Sequence, residues 1–199
     1  MSIHIRVPML PGAERAPWKA IVNGVESEHF IESNAILLDV LRDQVGTLGL
    51  KRGCDMGTCG CCAVQIDGQP RLSCLCLARE AEDTAITTVE GLADGHHLHP
   101  IQQCFAEAGG SQCGFCTPGF LVVCAAFLET NVNPTRDQIK AAIDGNLCRC
   151  TGYQQIVDAV EMAAAMKREG IDTGDRTDAK SDPHPIGPDE PTLPPGSAK

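Results

Sequence analysis

The chain has 199 residues, 43% of them hydrophobic, with a formal charge of −10 and 12 cysteines. The acidity argues against nucleic acid or an anionic membrane surface as a partner, while the apolar share is enough for real cores and two small domains. No segment has the apolar length of a membrane span, and residues 1–8 carry neither a basic region followed by an apolar run nor a twin arginine, so a cytoplasmic, non-membrane protein is expected.

The first third reads as β-rich. Two apolar runs, 18–22 and 25–31, flank Asn23-Gly24, a pair suited to the positive φ angles of a tight hairpin turn. Residues 36–45 place apolar side chains at helical spacing, with Asn34 to cap the helix and Gly46 to stop it. A glycine-rich cysteine loop follows, then strands at 63–66, 71–75 and 85–89, with Asp67-Gly68 turning the first of them. Together these elements predict a small α+β domain over residues 1–90.

From about residue 91 the pattern is helical. Pro100 opens a helix at 101–108 that Gly109-Gly110 closes, and Pro118 opens a largely apolar one at 119–129. Thr135-Arg136-Asp137-Gln138 is a capping box for a third helix ending near Gly145. The fourth covers 153–168, with Ile156, Val157, Val160 and Ala164 on one side. A compact four-helix bundle over 91–168 is expected, followed by a disordered acidic, proline-rich tail at 169–199.

The cysteines carry the chemistry. Cys54, Cys59 and Cys62, with Cys74 downstream, have the C-x4-C-x2-C…C spacing of a plant-type [2Fe-2S] site. Gly53, Gly57 and Gly60 let the chain wrap closely and turn its amides toward sulfur. A second set, Cys113-Gly114-Phe115-Cys116 with Cys148-Arg149-Cys150, lies just before two helix starts, where free N–H groups and the dipole favour thiolates. Zinc prefers C-x2-4-C pairs and fits the first triad poorly. The second set alone suits zinc, but beside a plant-type loop a second iron–sulfur site is favoured. A thioredoxin-like pair is disfavoured, because Cys113 follows a glycine loop rather than a strand. Spacing alone leaves Cys61 against Cys62, and Cys74 against Cys76, open.

Other features rank lower. The thiols left over, Cys61, Cys76, Cys104 and Cys124, are expected as small buried apolar groups. His96, His97 and His99 fall in the connector between the halves and read as a solvated linker, and Asp39 and Asp43 as a solvated helix face. No Ser/His/Asp arrangement, P-loop or dinucleotide fingerprint is visible, so substrate chemistry belongs on another chain.

Three segments resemble a known family: Lys51-Arg52-Gly53-Cys54 with Cys59-Gly60 and Cys62, residues 112–119 (QCGFCTPG), and residues 145–153 (GNLCRCTGY). They look like the small iron–sulfur subunit of the molybdenum hydroxylases, the family of xanthine dehydrogenase, aldehyde oxidoreductase, carbon monoxide dehydrogenase and 4-hydroxybenzoyl-CoA reductase. The similarity spans about residues 18–168. It implies a ferredoxin-like (β-grasp) N-terminal domain followed by a four-helix domain, each holding one [2Fe-2S] cluster. By position, Cys54, Cys59, Cys62 and Cys74 would ligate the first and Cys113, Cys116, Cys148 and Cys150 the second. It further implies a large molybdopterin subunit and a medium FAD subunit, assembled as a dimer of heterotrimers. Gln112 and Cys150 would contact the pterin, and electrons would pass from the helical cluster to the N-terminal one and on toward flavin. Two departures stand out: Gly60-Cys61-Cys62-Ala63 where the family commonly has Gly-Ala-Cys-Thr, and Cys76 where a hydroxyl residue is common. A free-standing ferredoxin is the rival, but it leaves the helical half without a purpose.

Overall fold

Strand β1, Arg15–Val22, alternates exposed and buried positions, turning Trp18, Ala20 and Val22 inward, as a strand with one wet face must. The computed structural model describes residues 14–171; the N-terminal 13 residues and the expected tail beyond 171 lie outside the described residues. Asn23 and Gly24, with φ of 52° and 79°, reverse the chain into β2, Val25–Glu32, which pairs antiparallel along the full length of β1. A second hairpin joins β3, Ala63–Ile66, to β4, Gln69–Leu72. Short β5, Ala85–Thr87, is inserted between the hairpins, parallel to β1 and antiparallel to β3, giving the order β2-β1-β5-β3-β4.

The helix expected at 36–45 is present but its geometry departs from the simple pattern. Its first turn, Leu37–Asp39 (α1), is an α-turn, and Val40–Val45 widens to π geometry before Gly46 ends it at φ 90°. Asn34 does not cap it. The cap position is Ile36, which bridges to Leu77, and the Leu37 N–H donates to the Cys76 carbonyl at 2.9 Å. Pairing to a neighbouring segment thus satisfies the donor a cap would otherwise take. The strand expected at 71–75 also stops early. The Ser73 amide and hydroxyl both donate to the Cys62 carbonyl, at 3.3 and 2.7 Å, and bend residues Ser73–Leu75 into a 3-10 turn. Over this half lies one apolar core, including Trp18, Ile31, Leu37, Leu41, Leu50, Val64 and Ile86. The indole N–H of the fully buried Trp18 donates to the Ala78 carbonyl at 2.7 Å, so its one polar atom is satisfied.

The helical half has a second core. Helix α2, Pro100–Glu107, is capped by His99, whose Nδ1 accepts from the Ile101 amide at 3.2 Å. Helix α3 is Thr117–Thr130. Helix α4, Arg136–Ala142, opens on the expected Thr135/Gln138 capping box and ends one residue before Ile143. Helix α5, Gln154–Glu169, packs against α2 and α4 and buries Ile156, Val157, Val160 and Ala164. Phe120, Leu128, Ile101 and Ile139 complete this core. Helix α3 also lies against β3, where the Gln65 side-chain amide donates to the Val122 carbonyl at 3.0 Å. Among the described residues no helix is long and apolar enough to cross a membrane.

Candidate metal centres

Cys54, Cys59, Cys61 and Cys62 lie on one loop between the π-type turns and β3. Two backbone contacts tighten it: the Lys51 amide donates to the Cys61 carbonyl and the Ala63 amide to the Gly60 carbonyl, each at 3.2 Å. Gly60 has φ +71°, and a Cβ there would lie 2.5 Å from the Asn146 amide nitrogen and 2.6 Å from the Gly145 carbonyl. Only glycine meets both demands. Cys54 and Cys59 face each other. The Cys54 thiol is drawn down to about 6, first by the Met56 amide and then by the Thr58 side chain and Cys59. Cys62 and Cys74 form the second pair, brought together by the Ser73 bonds to the Cys62 carbonyl. Burial, then the neighbouring Cys62 thiol, pushes Cys74 up to about 12.

The helical half repeats the pairing with other means. Cys113 and Cys116 precede α3; Cys148 and Cys150 precede α5. Cys116 sits against Cys148, and burial followed by that contact pushes it up to about 12. Cys150 sits against Cys113, and that hydrogen bond raises its thiol. Burial opposes ionisation of Cys148, yet Thr151, with its hydroxyl 3.2 Å and its amide 3.5 Å from the sulfur, holds the thiol below its ordinary value. Cys113, Cys150 and Gln112 are exposed together on this side.

This donor set fits iron–sulfur clusters. None of the 12 cysteines is in a disulfide. The eight candidate ligands meet as four pairs, two pairs at each site, which suits a centre of two metal ions that each take two thiolates.

The remaining thiols separate clearly. Cys104 and Cys124 are fully buried, and burial alone pushes the Cys124 thiol up to about 12. Cys61 is buried between the sites, facing Cys59 on one side and Cys116 on the other. Cys76 departs from the expected burial. It is half-exposed, with its sulfur 3.7 Å from a Glu80 carboxylate oxygen, because the turn at 73–75 carries the chain back to the surface. The histidines of the connector diverge: the His97 backbone bridges to Asp94 and His99 is spent as the α2 cap.

What the sequence did not disclose is the seam between the two sites. The Leu147 amide donates to the Cys59 carbonyl at 2.9 Å, and the Asn146 side chain donates to the Gly60 carbonyl at 3.1 Å. Gly119, at the start of α3, packs so closely that a Cβ on it would stand 2.3 Å from the Gly60 oxygen. The segment 145–153 drew notice for its cysteines. The asparagine beside them carries no charge or metal role, and its part in the seam rests on a contact 86 positions away that no local pattern signals.

Comparison with known proteins gives the architecture a name. Residues 18–107 match the 2Fe-2S iron-sulfur cluster binding domain and residues 88–161 the [2Fe-2S] binding domain. The chain is 44% identical to the nicotinate dehydrogenase small FeS subunit of Eubacterium barkeri, over 71% of this chain and 90% of that one. The chain belongs to the small iron–sulfur subunits of the molybdenum hydroxylase family. Its two matched domains are those of [2Fe-2S] clusters, and family members of this kind are parts of larger assemblies. In three dimensions this small subunit is similar to a chain of quinoline 2-oxidoreductase from Pseudomonas putida 86, with 42% identity, a TM-score of 0.75, and coverage of 79% of this chain and 98% of that one. It is also 45% identical, over 73% of its length, to the aldehyde oxidoreductase of Megalodesulfovibrio gigas, of which it spans only 16%.

Proposed function

We propose that this small subunit is the electron relay of a molybdenum-dependent oxidoreductase, passing electrons between a molybdopterin subunit and an FAD subunit. The observation that carries this is the seam: two four-thiol sites in one chain, joined by a hydrogen bond from Leu147, next to Cys148, to the carbonyl of Cys59. Bound there, [2Fe-2S] clusters would supply one-electron chemistry. The chain's own part is to hold thiolates, shield the sheet site from water and fix the distance between the sites.

The ligands are Cys54, Cys59, Cys62 and Cys74 in a ferredoxin-like domain over residues 1–90, and Cys113, Cys116, Cys148 and Cys150 in a four-helix domain over 91–168. Two separate apolar cores support that division. Gln112 and Cys150 form the contact to the pterin, a role supported by their joint exposure beside Cys113. The N-terminal site hands electrons on toward flavin. The assembly is a dimer of heterotrimers in the cytoplasm, with no nucleic-acid or membrane partner. Relatives named as subunits of nicotinate dehydrogenase, nicotine 6-hydroxylase and caffeine dehydrogenase support an oxidoreductase complex, in which we assign the substrate site to the large subunit.

The test is to tag this chain in its native host and purify what comes with it. Two larger chains carrying molybdenum and FAD are expected. A chain that purifies alone, with full iron and normal electron transfer to soluble partners, would replace the relay with a free ferredoxin.

A further inference from the structure

Asn146 is buried, 4% exposed, and bonded in two directions. Its side-chain nitrogen donates to the Gly60 carbonyl across 86 positions of sequence, and its own carbonyl accepts from the Tyr153 hydroxyl at 3.2 Å. That hydroxyl in turn accepts from the Cys148 amide at 2.9 Å. One continuous line of polar contacts therefore runs from the loop of Cys59 and Cys62 to the loop of Cys148 and Cys150.

Tyr153 is held for this task. Its φ is +70°, a left-handed conformation uncommon for a bulky side chain. The strain persists because the site over-determines it: the Tyr153 amide donates to the Thr151 hydroxyl at 3.1 Å, and its ring sits edge-on to Phe120 with centroids 6.1 Å apart. Glycine would adopt this backbone freely, but it would remove both the ring and the hydroxyl. On the other side, the Leu147 amide takes the Cys59 carbonyl while Asn146 takes the carbonyl next to it. Two consecutive acceptors on one loop thus meet two consecutive residues on the other. A single bond would leave a pivot; two fix an orientation.

We propose that Asn146 and Tyr153 are positioning residues whose hydrogen bonds clamp the two thiol loops together and so set the separation and coupling between the two clusters. The inference rests on the two-cluster function proposed above. Neither residue would contribute a sulfur ligand; each acts through the loop it holds.

The test uses Asn146→Asp and Tyr153→Phe in the full chain with both metal sites filled. Asparagine and aspartate have nearly the same volume, but an ionised carboxylate only accepts, so the donor to Gly60 is lost and the clamp breaks, and Tyr153→Phe tests the same clamp without a new charge. Tyr153→Phe keeps the ring against Phe120 and removes only the hydroxyl. The readout is the magnetic splitting between the two reduced clusters in electron paramagnetic resonance, alongside iron and labile sulfide content. A changed splitting in Tyr153→Phe, and a larger change in Asn146→Asp, with iron content at the wild-type level, is expected. Wild-type splitting in both variants would overturn the clamp, as would loss of iron from one site with the splitting of the remaining intact fraction unchanged. A wild-type protein with no reduced iron–sulfur resonance would overturn the proposed function instead, which keeps the two failures apart.

Discussion

In the sheet half, three candidate ligands lie on one loop, and Cys59, Cys62 and Cys74 are buried; in the helical half, two candidate ligands precede each of two helices, and Cys113 and Cys150 are exposed. The first site is closed by its own chain, through the Ser73 bonds to Cys62 and the tight glycine loop. The second is left open on the side of Gln112 and Cys150. A buried site depends on local packing, whereas an open one depends on what covers it. Changes near the first should therefore register in iron content and stability, and changes near the second in assembly with partners.

The largest effect expected concerns the sheet site. Cys62→Ser or Cys74→Ser should remove the iron of that site, about half of the total for a chain with two [2Fe-2S] centres, while Cys61→Ser and Cys76→Ser retain it. Iron and labile sulfide assays on purified protein check this, and the reverse sensitivity would reassign the ligands. Next comes the seam that joins the halves. Gly119→Ala forces a methyl against the Gly60 carbonyl, where the built Cβ stands at 2.3 Å. Overpacking of this kind costs about 1–3 kcal/mol. Thermal unfolding should show a drop of several degrees, and an unchanged midpoint would mean that the seam yields freely.

A third change tests the open face. Gln112→Ala should keep both clusters yet weaken docking to the molybdenum subunit or slow cluster reduction by substrate, because an unpaired group at a buried junction costs about 1–3 kcal/mol. Stopped-flow bleaching of the reconstituted complex reads it, and loss of iron instead would make Gln112 a loop cap. The smallest effect is expected at Arg52, which bridges Asp39 and, at 2.7 Å, Asp55 on the surface of the sheet site. Exposed pairs contribute about 0–1 kcal/mol, so Arg52→Ala should shift the urea midpoint only slightly. A large shift would show that this pair closes the Cys54 loop.

Local signals were the legible part. Asn23-Gly24 announced the first hairpin because two positive φ angles restrict the residue types, and Thr135 with Gln138 announced α4 because a capping box is a contact within four residues. The cysteine spacings marked two groups of candidate thiols, while the choice of Cys61 or Cys62, and of Cys74 or Cys76, was not legible from spacing alone. What stayed hidden depends on residues far apart in sequence. The π widening of Val40–Val45, the Ile36 bridge that displaces Asn34 as cap, and the turn that moves Cys74 out of a strand all follow from tertiary contacts. The bond from Asn146 to Gly60 spans 86 positions, beyond the reach of any local pattern.

The most direct measurement of the central claim is a combined metal count and reduced-state resonance spectrum of the purified chain. Two matched [2Fe-2S] domains predict about four irons and four labile sulfides per chain, in two distinct paramagnetic species of unlike hydrogen bonding and burial. A single species in fully iron-loaded protein, or zinc in place of iron at the helical site, would contradict it.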